Sequence, residues 1–238
     1  MRSISRLGIL AVTAAFAAAA CGDSSGPGVG PVALLTDVAF VDYDLSSIGS
    51  EASQMEFTIK SFGLIVTQVN AIDSTTLATE LSGSGVFVVP EETGPVASTL
   101  TAGAKAVLRR FVDSTGGVLI VVPDDPGLAL LDTLFDYAIV AGVDSAFTRL
   151  SPAASGTPFA GGPAIIWDNN GTYYIHPASL PPGGKAIYTL GSNSGASVAY
   201  IRQGRGVVVL LGWDWYLAAP HGPQDGGWIE VLRRALRS

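Results

Sequence analysis

The sequence predicts an α/β fold, a mostly parallel sheet flanked by helices with an antiparallel extension around residues 160–203. Three observations carry this. Short apolar runs lack polar alternation, as strands buried on both faces do. Amphipathic patterns of helical period lie between them, the alternation expected of strand-helix units. The stretch from about Ser151 to Gln203 instead carries turn signals and little helical period.

Taken from the start, Met1–Ala20 reads as a sorting segment outside the fold. Arg2 and Arg6 precede the apolar Leu7–Phe16, and Ala18-Ala19-Ala20 runs into Cys21, the only cysteine of the chain. The apolar stretch falls short of the ~20 residues that span a bilayer. This junction resembles the lipobox of bacterial lipoproteins, which implies that Cys21 is lipidated and becomes the mature N-terminus. An ordinary secretory peptide cleaved at a nearby Ala-x-Ala site is the alternative. Residues 21–31, rich in Gly, Pro and Ser, have the composition of a flexible tether. A single domain is expected over 32–238.

Within that domain, Val38–Val41, Val86–Val89, Val118–Val122 and Val207–Leu211 are the expected buried strands, with Leu64–Val69 a further one. Ala52, Met55, Ile59 and Phe62 mark one helix face. Ala104, Val107, Leu108, Phe111 and Val112 mark a second, stopped by Gly116-Gly117. Leu128, Leu131 and Phe135 suggest a shorter helix. Asp225 can cap a last helix carrying Trp228, Val231, Leu232 and Ala235, with Arg233, Arg234 and Arg237 favoured by its C-terminal dipole. In the extension, Ala164–Trp167 and Thr172–His176 around Asn170-Gly171 read as a hairpin. Lys185–Leu190 and Ser197–Gln203 read as two further strands.

Composition narrows the function classes. The chain has 238 residues, 48% of them hydrophobic, with 13 basic and 20 acidic side chains. Removing residues 1–20 takes two Arg and no acid, so the mature balance is 11 − 20 = −9. That charge offers no footprint for nucleic acid. On a lipid anchor, an acidic body is expected to stand off an anionic membrane surface. One cysteine excludes a disulfide scaffold, and two histidines leave little for a His-based triad or a polyhistidine metal site. No Gly-x-Gly-x-x-Gly follows a strand and no phosphate-binding Gly-x4-Gly-Lys motif occurs. Gly191-Ser192-Asn193-Ser194-Gly195 imitates a nucleophile elbow but has Asn193 in the place of the serine.

Three stretches carry a family likeness: Gly85–Glu92, Leu108–Val121 with its helix-Gly-Gly-strand unit, and Gly204–Trp215. Together they resemble the class I glutamine amidotransferase-like superfamily, of flavodoxin-like α/β fold, over about Val32 to Leu236. Active members place a cysteine on the tight turn after the strand matching Val118–Val122. Here that turn is Pro123-Asp124-Asp125-Pro126, and no thiol follows Cys21. The late His-Pro-Glu of the family would fall near Gly212–Trp215, where neither His nor Glu stands; His176-Pro177 lies upstream. The resemblance thus implies the fold without the glutaminase triad, since thiolate attack needs a thiol.

What remains are polar residues just past the strand ends: Asp42, Asp44, Glu91, Glu92, Asp124, Asp125 and Asp214. In an open parallel sheet these ends share the ligand-binding edge. Clustered carboxylates there can hold a hard divalent cation, with Asp42, Asp124 and Asp214 as the candidate metal set, or act as an acid/base pair. Capping of the following helices is the competing explanation. Trp213-Asp214-Trp215, then His221, Asp225 and Trp228, form the most distinctive passage. Aromatics beside carboxylates suit a flat polar ligand or a sugar, while tryptophans locking the last helix to the sheet are the alternative. The expected function is binding or scaffolding at the cell envelope, without cofactor, toward an unknown small molecule or envelope protein. Metal-assisted, carbohydrate-directed hydrolysis is the alternative.

Overall fold

A computed structural model describes residues 30–238, apart from 48, 192–193, 219–221 and 223–224. Cys21, the sorting segment and His221 lie outside the described residues. One sheet organises the domain, in the order β2-β1-β3-β4-β9-β8-β7-β5-β6. Its parallel half is β1 (Val32–Leu35), β2 (Val66–Val69), β3 (Val86–Val89), β4 (Val118–Val121) and β9 (Gly206–Leu211). The order 2-1-3-4-9 is the flavodoxin-like one, with the strand order reversing between β1 and β3. The fold class is therefore the expected one.

Between these strands run α1 (Glu51–Ser61), α2 (Ser74–Leu81), α3 (Val96–Thr99), α4 (Ala102–Asp113) and α5 (Asp125–Phe135). Helix α6 (Trp228–Ala235) follows β9. Each helix after a parallel strand returns from the C-terminal edge of the sheet to the N-terminal edge. Their caps therefore gather at one edge: Asp73 accepts from the amides of Thr75 and Thr76, Thr101 from Ala104, and Asp124 from Gly127. One apolar layer packs on each face. Leu119, Val121, Val208 and Leu210 face α4 and α5, while Ile120, Val209 and Leu211 face α1 and α6. Burial on both faces explains why β3, β4 and β9 read as unbroken apolar runs.

The antiparallel half is β8 (Ala196–Gln203), β7 (Lys185–Thr189), β5 (Phe147–Leu150) and β6 (Ile165–Trp167). The extension thus continues the one sheet, as expected, but begins at Phe147, ahead of residue 160. Among the described residues, no helix is long and apolar enough to cross a membrane.

Two sequence expectations are corrected. Val38–Val41 is not a strand: the first strand is Val32–Leu35, and Asp37 turns the chain directly after it. The Asp37 carboxylate accepts from the Ala39 amide at 3.1 Å and its carbonyl from Phe40 and Val41, which leaves Val38 73% exposed. Ala164–His176 is not a hairpin. β6 pairs with β5, while Thr172 and Ile175 bridge to Trp213 and Ala196. The polar turn at Asp168–Gly171 was real, but it sends the chain across the strand ends instead of back along its own strand. Helices α2 and α3 carried too weak a period to be read from the sequence.

Candidate functional site

The C-terminal edge at the β1/β3 switch point gathers carboxylates from three separate elements. Glu51 opens α1, Glu91 follows β3 and Asp214 follows β9. One oxygen of each lies within 4.8 Å of one of each of the others. Glu51 is buried, and its Oε1 accepts from the Glu91 amide at 3.2 Å; the Trp215 amide donates to the same carboxylate. Asp214 Oδ1 accepts from the Tyr216 amide at 2.6 Å. The half-buried Glu91 carboxylate has no hydrogen-bond donor among the described residues. The ion pairs of the described residues, Lys60–Glu56 and Arg233 and Arg234 to Glu230, lie elsewhere.

Burial raises every one of these acids. Desolvation, then the charges of Glu91 and Asp214, push Glu51 well above the usual carboxylate range. Desolvation and the charges of Asp214 and Asp124 lift Glu91 to about 7. Asp214 is raised by burial against the opposing Tyr216 bond. Next to the trio, Asp124 rises to about 6 through burial, although its bond from Gly127 pulls the other way. Burial, with the charge of Asp124, lifts Glu92 to about 8 against the opposing bond that its Oε2 accepts from the Val96 amide at 3.1 Å; its Oε1 is buried with no partner among the described residues.

The sequence-derived candidates separate into those that converge and those with structural work. Glu91 and Asp214 converge, with Asp124 and Glu92 beside them. Asp124 caps α5 through Gly127 at 2.6 Å, and Asp125 accepts from the Tyr173 hydroxyl at 2.7 Å. Asp225, two residues ahead of the N-cap Gly227, accepts from the Ile229 amide at 3.0 Å, so its carboxylate is engaged at the start of α6. His176 caps a short turn by accepting from the Ala178 amide. The metal set expected from the sequence is not assembled. Of Asp42, Asp124 and Asp214, only Asp214 joins the trio, while Asp42 lends its backbone carbonyl to the Ala52 amide. Glu51 was missed because it reads as an ordinary first-turn acid. The signal available was its place directly after the first strand unit, where a helix N-terminus meets the sheet edge.

Trp213 and Trp215 line no ligand surface: both are fully buried. Alternation sends them to the α1/α6 face and Asp214 away from it. Trp213 stacks on Trp228 (5.8 Å between centroids, 3° between planes) and meets Trp215 edge-on at 4.9 Å. Trp228 Nε1 donates to the Trp167 carbonyl at 2.9 Å. The three indoles are thus the lock of α6 onto the sheet.

Among solved structures, a ThuA-like protein, so described, from Bacteroides uniformis matches with a TM-score of 0.58 at 10% identity. The match covers 87% of this chain and 89% of that one. A cytoplasmic protein from Salmonella typhimurium matches at 0.55 and 10% identity, over 87% of this chain and 98% of that one. A glutamine amidotransferase from Thermotoga maritima matches at 0.45 and 11% identity, over 76% of this chain and 74% of that one. No protein-family model and no curated protein matches the chain. At these identities the likeness concerns the fold.

Proposed function

We propose that the chain is an exported lipoprotein whose amidotransferase-like domain is a binding module without glutaminase activity, its ligand held at the carboxylate edge. Support for export and anchoring comes from the Ala18-Ala19-Ala20-Cys21 junction and the Gly/Pro/Ser-rich tether alone. The loss of glutaminase chemistry follows from Asp124 on the turn where the family carries its thiol. One observation carries the binding assignment: among the described residues Glu91 has neither a hydrogen-bond donor nor a basic side chain as partner, and it lies beside two other desolvated carboxylates. A fold spends stability to hold like charges together, and a ligand bringing positive charge or several donors restores it. Metal-assisted hydrolysis is the second reading, favoured by three oxygens near enough to share one hard divalent ion.

Calorimetric titration of the full chain with Mg²⁺, Ca²⁺ and Mn²⁺ separates the two. Stoichiometric binding that is lost in Glu51→Gln and Asp214→Asn, together with metal-dependent hydrolysis of glycoside or ester probes, establishes the hydrolase. Metal binding without turnover, or binding of an organic cation alone, establishes the module. Ammonia release from glutamine would overturn both.

A further inference from the structure

The chain has four tryptophans, and only Trp167 reaches the surface, at 51% exposure. It ends β6, the last strand of the sheet, directly across from Phe147 on β5, with ring centroids 5.4 Å apart and planes at 59°. Two residues further along β5, the Arg149 guanidinium lies over the Phe147 ring at 5.0 Å. Alternation puts Phe147, Arg149, Ile165 and Trp167 on one face of this pair, while Thr148 and Ile166 turn inward and are buried. Arg149 forms no ion pair among the described residues.

Arg149 is also the wall shared by two clefts. One, of 530 Å³, is lined by Lys185, Ser151 and Thr189 and by no acidic side chain. The other, of 380 Å³, is lined by Phe147, Ser145 and Asp144. Lys185 spends one donor on the Ser155 carbonyl at 2.8 Å and keeps two. An acid-free cleft with two cations is a local reversal of charge in a chain of net −7.

We propose that this face binds a saccharide bearing a carboxylate, a uronic-acid oligosaccharide. A pyranose ring offers an apolar C–H face to the exposed indole and Phe147, and hydroxyls around its rim to Ser145, Thr189 and Asp144. The guanidinium fork of Arg149 matches a carboxylate in two parallel bonds. Clefts of these volumes suit a small ligand. Four side chains, two of them aromatic, are few against the roughly 20–30 residues a side of a standard protein interface. The site is separate from the carboxylate edge and stands or falls without it.

The test is acrylamide quenching of tryptophan fluorescence in the full chain, with trigalacturonate as the probe. Trp167 supplies the accessible signal, so trigalacturonate protects it, whereas maltotriose at equal concentration does not. Arg149→Met weakens protection roughly ten-fold or more, the loss of a charge-assisted pair. Trp167→Ala abolishes trigalacturonate binding by calorimetry, and Trp167→Phe retains part of it. Arg149 is exposed and outside both core layers, so its variant keeps the test sound if Trp167→Ala fails to fold. No protection at millimolar trigalacturonate, equal protection by maltotriose or by triglutamate, or wild-type affinity in Arg149→Met overturns the proposal.

Discussion

Replacing Trp228 by Ala removes the centre of the lock between α6 and the sheet. The indole is 1% exposed, stacked on Trp213 and bonded through Nε1 to the Trp167 carbonyl. Burying 150–250 Å² of aromatic surface is worth about 4–6 kcal/mol at 25 cal/mol per Å². Large aromatic truncations in cores cost about 3–5 kcal/mol, and the orphaned carbonyl of Trp167 adds about 1 kcal/mol. At 2–4 °C per kcal/mol for a domain of this size, the melting temperature falls by about 8–24 °C. Scanning calorimetry with near-ultraviolet circular dichroism reads both the shift and the loss of the indole signal. Trp228→Phe, which keeps a stacked ring and loses the Nε1 bond, falls by about a third as much. A shift below about 3 °C for Trp228→Ala would refute the structural assignment of the three indoles.

Stability falls as pH rises from about 5 to about 8. Glu91, Glu92 and Asp124 hold protons in the folded state, with pKa values of about 7, 8 and 6, that the unfolded chain has released. The native state therefore binds more protons across that window, and the slope of stability with pH is negative. Urea midpoints at the two ends of the window check this, and a flat or rising profile contradicts it. Glu51→Gln raises the midpoint at the alkaline end, because it removes a charge that burial and two neighbouring acids oppose; a lowered midpoint counts against the trio. Gly212→Ala destabilises by about 2 kcal/mol or more, since a Cβ there would meet the Tyr173 carbonyl oxygen at 2.0 Å. An unchanged melting curve would sink that placement. Cys21→Ser leaves the protein out of the membrane fraction or its signal uncleaved; unchanged processing and retention would refute lipidation.

The parallel half of the sheet was legible because burial on both faces writes itself as uninterrupted Val, Leu and Ile. The same rule misled at Val38–Val41, where an apolar run lies in a turn that Asp37 imposes just after the real strand. Pairing partners in the extension were not legible. β6 consists of three residues, and its partner β5 (Phe-Thr-Arg-Leu) carries too little period to declare itself. Two acids of the trio, Glu91 and Asp214, were visible as acids after apolar runs. Glu51 was not, because its neighbours in sequence predict an ordinary helix start and only the sheet order brings it to Asp214. Asp225 shows the converse: an acid in the right loop, used to hold a helix end.

The most direct test of the carboxylate edge is a carboxyl-carbon NMR titration of Glu91, in the full chain and in Asp214→Asn. The structure predicts an apparent pKa near 7 in the wild type. Removing the Asp214 charge lowers it, and an added cation that occupies the trio lowers it further. A Glu91 carboxyl that titrates near its ordinary value of 4.5 in the wild type and is unmoved by Asp214→Asn would contradict the convergence of these groups.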